Sequence, residues 1–227
     1  MTTDPGYLHR YFLNNGENRL HKWLHYFDIY ERHFARFRDR PIKMLEIGVH
    51  GGGSLRMWRD YFAPGSTIVG IDINPECKQH EGRDIDVHIG SQNDPDFLLE
   101  VADKYGEFDI LLDDGSHVNE HVITTFDTLY GRVASDGVYL VEDMHTSYWP
   151  KWGGGLRKAG TFIEHAKNRI DDLNAVHVRK GLEVGDFTRS TDSITFYDSI
   201  VVFEKRPQGA RQHLKTFAMP TGADDQD

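Results

Sequence analysis

The chain has 227 residues, 38% of them hydrophobic and 27% charged, and a formal net charge of −10. That length and balance suit one globular domain with short appendages, and the acidic excess argues against a nucleic-acid or anionic-membrane partner. Cys77 is the only cysteine, so no internal disulfide is available; with no signal-peptide core before Gly16 and no apolar stretch of membrane-spanning length, a cytoplasmic protein without membrane contact is expected.

Residues 1–20 are polar with scattered aromatics and are expected to be partly mobile. Trp23, Leu24, Tyr26, Phe27, Ile29, Tyr30, Phe34 and Phe37 follow at helical spacing. This predicts a helix over 21–37 whose wide aromatic face packs on a sheet or a second subunit, or serves as a lid. The arginines at 10, 19, 32, 36, 38 and 40 alternate with Glu17, Glu31 and Asp39 and read as a solvated helix face. A strand over 43–49 then feeds the turn His50-Gly51-Gly52-Gly53 and a helix over 54–62 with Ser54 as N-cap. Strands over 67–73 and 85–90, a helix over 94–105 opened by Asp94-Pro95, a strand over 108–114, a helix over 119–133 and a strand over 137–143 complete the alternation. Such alternation predicts a mostly parallel sheet with helices on both faces, and the near-continuous apolar runs fit buried parallel strands. Residues 146–155, with Tyr148, Trp149 and Trp152, read as a long loop. A helix over 156–173 and short strands over 193–197 and 200–205 follow, the last two as an antiparallel hairpin. The expected organisation is an N-terminal aromatic segment (1–40), an α/β domain with a seven-stranded sheet (41–206) and a loosely held polar tail (207–227).

Two acidic clusters end apolar runs: Asp113-Asp114-Gly115-Ser116-His117 and Glu142-Asp143. Neighbouring parallel strands would bring both to the sheet edge where open α/β folds bind ligands. Carboxylates crowded together attract a cation, and hard oxygen ligands favour Mg²⁺, with Mn²⁺ or Ca²⁺ as substitutes. Asp114, Glu142 and Asp143 are the expected metal ligands. Histidine is the side chain whose unperturbed pKa, about 6.5, suits proton transfer near neutral pH, and His117 is the expected general base. Asp113 is ambiguous between metal and cofactor. Zinc through His117 and His121 is disfavoured, since the motif acid of helical zinc proteases is missing.

Glu46-Ile47-Gly48 and the glycine turn form a nucleotide-type site, and Asp72 closes the second strand where it can take both hydroxyls of a ribose. An acid ahead of the first glycine suits a ligand with an ammonium or sulfonium group, and S-adenosylmethionine has both. On Glu46-x-Gly48 and Asp72 the chain resembles the class I methyltransferases. That resemblance implies a Rossmann-like fold, S-adenosylmethionine as cofactor, and cofactor contacts from Glu46, Gly48, Ser54, Asp72, Ser91, Gln92 and Asp113.

A longer set of motifs is more specific: Leu45-Glu46-Ile47-Gly48-Val49, Gly52-Gly53-Ser54-Leu55-Arg56-Met57-Trp58, Asp72, Asp113-Asp114-Gly115-Ser116-His117, Val141-Glu142-Asp143-Met144 and Thr146-x-Tyr148-Trp149-Pro150. Over residues 20–205 these resemble the metal-dependent sugar O-methyltransferases of macrolide biosynthesis, of the mycinamicin and demethylmacrocin type. The resemblance implies Mg²⁺ on Asp114, Glu142 and Asp143, His117 as base, and a small-molecule or oligosaccharide glycoside as acceptor, in antibiotic or polysaccharide biosynthesis. The chain lacks that family's insertion between Val49 and Gly51 and carries His145 where a bulkier residue is usual, which leaves the acceptor open. His145, Tyr148 and Trp149 are expected to face it, since aromatic rings stack on sugar C–H faces. The alternative acceptor is a catechol-like phenol, which scarcely needs a histidine base. Aromatics exposed on the N-terminal helix would favour a homo-oligomer.

Overall fold

A computed structural model describes residues 5–214; most of the expected polar tail, residues 215–227, lies outside them. The sheet holds β1 (Lys43–Ile47), β2 (Thr67–Asp72), β3 (Ile85–Ile89), β4 (Phe108–Asp113), β5 (Val133–Val141), β6 (Thr191–Phe196) and β7 (Val201–Lys205) in the order β3-β2-β1-β4-β5-β7-β6. The first five are parallel, and β7 lies antiparallel between β5 and β6. The strand order reverses between β1 and β4, which opens a crevice at their C-terminal ends. No described helix is long and apolar enough to cross a membrane.

Side chains alternate across each strand and build two cores. Met44, Ile110, Leu112, Val138 and Leu140 face α1 (Tyr7–Asn14), α2 (Tyr26–Phe34) and α3 (Gly53–Tyr61). Leu45, Ile47, Leu111, Tyr139 and Val141 face α4 (Pro95–Tyr105), α5 (Asn119–Leu129) and α6 (Phe162–Leu173). A short α7 (Asp186–Ser190) leads into β6. The Asp94 carboxylate caps α4 by accepting from the Asp96 and Phe97 amides, as its Asp-Pro start anticipates.

The N-terminal region is more ordered than its composition suggests. α1 forms inside the stretch expected to be mobile, and the helix expected over 21–37 begins only at Tyr26. Between them residues 15–25 run as an irregular strap. The Asn15 side chain donates to the Asn18 carbonyl at 2.7 Å, a local turn that competes with helix. Tyr26, Phe27, Tyr30 and Phe34 are all buried within the chain. Each ring contributes roughly 2–3 kcal/mol by burial, which holds a helix too short to persist alone. The aromatic face that suggested an oligomer contact is therefore spent on the chain's own sheet, and only Trp23 and Leu24, ahead of α2, stay exposed. Glu31 ties the layer together, accepting from the Leu8 amide at 2.9 Å and the Tyr61 hydroxyl at 2.8 Å.

Two helix starts shift. α3 opens at Gly53 behind a left-handed Gly52 (φ 70°), and Ser54 is not its cap. The helix expected from 156 begins at Phe162, where Thr161 accepts from the Glu164 amide.

Candidate active site

Strand register brings the two acidic clusters to one edge. Asp113 pairs with Ile47 on one side and Val141 on the other. The Asp114 amide donates to the Ile47 carbonyl and the Glu142 amide to the Asp113 carbonyl, both at 2.9 Å. The two-residue period then separates neighbours in sequence. Asp114 and Glu142 fall on the α1–α3 face with Glu46, and Asp113 falls on the opposite face.

On the first face the carboxylates enclose a cation that the motifs did not reveal. Lys22, from the strap, is buried; its Nζ donates to Asp114 Oδ2 at 2.5 Å and to Glu142 Oε1 and Oε2 at 3.0 and 2.9 Å, with Glu46 Oε1 at 4.0 Å. Burial works against its charge, but Asp114, Glu142 and Glu46 outweigh burial and hold the ammonium above the usual lysine range. Burial and the Asp114 charge push the Glu142 carboxyl well up, while Lys22 and the Tyr30 hydroxyl pull it back. Burial lifts Glu46 to about 7 against the pull of Lys22. Glu46 Oε2 accepts from the Ser54 hydroxyl at 2.9 Å; its Oε1 is buried without a hydrogen-bond partner within normal distance among the described residues, although the Trp58 indole, whose N–H is likewise unpaired, helps to lower this carboxyl. α2 adds two phenols one turn apart: Tyr30 donates to Glu142 Oε1 at 2.5 Å and Tyr26 to Asp143 Oδ1 at 2.6 Å.

Past the strand ends the chain reverses direction at two non-glycine residues in the left-handed region, His117 (φ 58°) and Asp143 (φ 55°). The turn at Asp143 lets Glu142 point inward while Asp143 reaches the cavity. His117 Nε2 lies 3.5 Å from Asp143 Oδ2. One ligand atom each from Asp114, His117 and Asp143 fall within 4.8 Å of one another. Of the three carboxylates expected on a metal, the structure gathers Asp114 and Asp143 with His117 and gives Glu142 to Lys22 and Tyr30. His121 takes a different partner, the Ser116 hydroxyl at 2.9 Å.

Beside this group lies a cavity of about 370 Å³, lined among others by Gly48, Ser54, Asp72, Ser91, Gln92, Asp114, His117 and Asp143. That volume lies in the range of small-molecule sites. Gly48 has φ 95°, and a Cβ there would sit 2.1 Å from the Asp114 carbonyl oxygen, so β1 and β4 can close only on glycine. The turn glycines answer to the protein itself: a Cβ on Gly53 would meet the Arg19 carbonyl at 2.5 Å, and one on Gly51 the Arg19 Cβ at 2.7 Å. The strap lies directly on the glycine turn, and Arg19 to Lys22 wall the cavity. Asp72 Oδ2 accepts from the Val49 and His50 amides, each at 2.9 Å, and Oδ1 from the Asn74 amide at 2.8 Å. Burial alone would raise this carboxyl; the backbone donors outweigh it and hold it below the usual range. Asp113 and Glu46 stand one layer behind the cavity. Burial lifts Asp113 to about 7; it accepts from Gln92 Nε2 at 3.2 Å, and Gln92 Oε1 accepts from the Ser116 amide at 2.6 Å. Asp113 thus positions Gln92, which reaches the cavity.

The loop after β5 winds into two 3₁₀ turns, Met144–Tyr148 and Pro150–Trp152. Asn119 fixes it: its Oδ1 accepts from the Ser147 hydroxyl and the Phe162 amide, and its Nδ2 donates to the Trp152 carbonyl, all at 2.8 Å. The His145 ring meets Trp149 at 4.5 Å and Trp23 at 6.1 Å, both edge-on, with Ser199 Oγ 2.5 Å from its Nδ1. Trp23, Tyr148 and Trp149 are exposed, so this aromatic shelf adjoins Asp143.

A family model described as a methyltransferase domain matches residues 45–144, the span from β1 to just past Asp143. The demethylmacrocin O-methyltransferase of Streptomyces fradiae is 47% identical over 199 residues, covering 81% of this chain and 50% of its own. The 8-demethyl-8-alpha-L-rhamnosyl tetracenomycin-C 2'-O-methyltransferase of Streptomyces olivaceus is 39% identical over 197 residues, covering 82% and 52%. Both relatives are sugar or glycoside O-methyltransferases by name, and residues 45–144 of this chain match the methyltransferase domain. The chain spans about half the length of the relatives it matches. The MycE methyltransferase of mycinamycin biosynthesis, solved with Mg and SAH, superposes with a TM-score of 0.77 at 36% identity over 82% of this chain and 51% of its own. A caffeoyl-CoA O-methyltransferase-like protein of Staphylococcus aureus, at 13% identity and a TM-score of 0.52, shares the fold.

Lys22, Tyr26, Tyr30 and Asn119 were absent from the sequence-based site. The tyrosines were visible as helix-face aromatics, but their hydroxyls were not weighed. Lys22 had one signal, a lone cation among apolar residues in a chain with unpaired acidic clusters.

Proposed function

We propose that this chain is an S-adenosylmethionine- and Mg²⁺-dependent O-methyltransferase acting on a sugar hydroxyl of a glycoside. The convergence of Asp114, His117 and Asp143 on a cavity at the β1–β4 crevice carries this reading. The oxygen-rich donor set fits a hard divalent cation, and the family resemblance supports both groups, since MycE was solved with Mg and SAH. When bound, S-adenosylmethionine supplies an electrophilic methyl group and the divalent cation lowers the pKa of a nearby hydroxyl.

The chain's own residues do the rest. Gly48 lets the ends of β1 and β4 close beside the cavity, and Asp72, Ser91 and Gln92 offer polar groups for the ribose and adenine. Asp114 and Asp143 would hold the cation, with Glu142, engaged here by Lys22 and Tyr30, as the third carboxylate expected on it. His117 takes the acceptor proton at Nε2, and the resulting imidazolium is stabilised by Asp143 at 3.5 Å. His145, Trp149 and Trp23 present ring faces and edges to the sugar and keep water from the reacting atoms. A glycoside natural product or an oligosaccharide fits this open shelf better than a flat catechol, whose acidic hydroxyl makes a histidine base redundant.

The test is a screen of glycoside acceptors with labelled S-adenosylmethionine and Mg²⁺, read by product mass. Methyl transfer that stops in excess chelator while cofactor binding persists supports the reading; turnover undiminished by chelator removes the metal from it. The same convergence admits a second assignment, with His117 as a third metal ligand. His117→Asn separates the two: as a base variant it lowers kcat by roughly 10²–10⁴ with metal affinity kept, whereas as a ligand variant it weakens metal binding itself.

A further inference from the structure

Lys22 brings a covalently tethered positive charge to the carboxylates that a divalent cation needs. Its Nζ lies 2.5 Å from Asp114 Oδ2 and 2.9–3.0 Å from both oxygens of Glu142. It arrives on neither a strand nor a helix but on the strap, whose Arg19, Leu20 and His21 wall the cavity and whose Trp23 meets His145. A second observation gives the ammonium somewhere to go. Glu46 Oε1 is buried, has no hydrogen-bond partner within normal distance among the described residues and stands 4.0 Å from Nζ.

We propose that Lys22 is a positioning residue that competes with the divalent cation for Asp114 and Glu142, and that Glu46 is the berth it moves to when the cation binds. This rests on the metal site proposed above. Two cations on shared carboxylates in a low-dielectric interior repel each other strongly. With Asp114 engaged elsewhere, the ammonium keeps full hydrogen bonding by closing the gap to Glu46, which satisfies the orphaned oxygen and avoids stranding a buried charge. Because Lys22 anchors the strap, its displacement shifts residues 19–24, which include part of the cavity wall, relative to the strand ends. Linkage makes the effect reciprocal: the strap weakens metal binding as much as metal loosens the strap.

The experiment measures Mn²⁺ affinity by calorimetry or electron paramagnetic resonance, with Mn²⁺ alone and no cofactor or acceptor. Lys22→Met is expected to tighten Mn²⁺ binding roughly tenfold or more. Glu46→Gln is expected to weaken it several-fold in the wild-type background and to have no effect in Lys22→Met, because the berth matters only when there is a lysine to move. Unchanged or weaker binding in a folded Lys22→Met protein overturns the proposal, and the metal site itself still stands if Asp143→Asn abolishes Mn²⁺ binding. Absence of Mn²⁺ binding in both wild type and Lys22→Met overturns the proposal and the metal site together. Hydrogen exchange on the wild-type protein serves if the variant does not fold: Mn²⁺ should speed amide exchange in residues 19–24, and unchanged or slower exchange there refutes the competition.

Discussion

Asp72→Asn tests whether the second-strand acid is first a fastener of the glycine turn. The wild-type carboxylate accepts from the Val49, His50 and Asn74 amides at 2.8–2.9 Å. Hydrogen bonds to a charged acceptor are worth about 1.5–3 kcal/mol each, roughly twice the neutral ones. Asparagine keeps one acceptor oxygen, so whichever way the amide turns, its NH₂ faces a backbone donor and the surviving bonds lose their charge. The expected cost is about 3 kcal/mol. For a domain of this size that lowers Tm by roughly 6–12 °C. The pH dependence supplies a second check. The folded carboxyl is held below its ordinary value by the backbone donors, against burial. Its contribution is therefore fully present above the unfolded pKa of about 3.9 and is lost as pH falls through the lower folded value. Urea denaturation of both proteins at pH 7 and near pH 3 should show a large gap that narrows in acid. A Tm change below about 2 °C, or a gap independent of pH, refutes the reasoning. A stable variant with unaltered cofactor affinity would also remove Asp72 from the ribose.

Tyr30→Phe deletes a buried donor to Glu142 and should cost about 1–3 kcal/mol in urea denaturation; a cost under about 0.5 kcal/mol would mean that Lys22 alone satisfies that carboxylate. Trp149→Ala should raise the acceptor KM several-fold with kcat and fold stability little changed, since the ring is exposed; an equal fall in kcat would place it in the chemical step. His33, with burial opposing and Arg36 assisting, holds the Glu204 carboxyl down to about 2. Glu204→Gln should therefore be less stable than wild type at neutral pH, with the difference closing as pH falls from about 4 toward about 2; a difference that widens in acid would contradict the sign.

The parallel sheet and its edge were legible because buried strands and acidic strand ends are both written locally, in short runs such as Phe108–Asp113; β5 was legible only in its second half, since it starts at Val133, where a helix was expected to end, and stops at Val141. The separate roles expected of Asp113 and Asp114 have a physical basis in the two-residue period, which sends neighbours to opposite faces. The strap was not legible. Its conformation is set by the glycine turn it lies on and by carboxylates about 92 and 120 positions away in sequence, and no local pattern encodes contacts of that range. The sequence places the glycine turn in a nucleotide-type site, whereas in the structure Gly51 and Gly53 make room for Arg19. Their composition signalled a close approach without naming what approaches.

The left-handed backbone at His117 and Asp143 limits how this site can be altered. Beyond glycine, Asn, Asp and His are the residues that enter that conformation most readily. The candidate base and one candidate ligand are thus drawn from a very short alphabet, fixed by chain geometry before chemistry is considered. Alanine at either position would add backbone strain to the loss of the functional group and exaggerate its apparent importance. Asparagine leaves the turn intact, so Asn variants report chemistry alone. A redesigned activity that needs lysine, glutamate or cysteine at these points would first need a different turn.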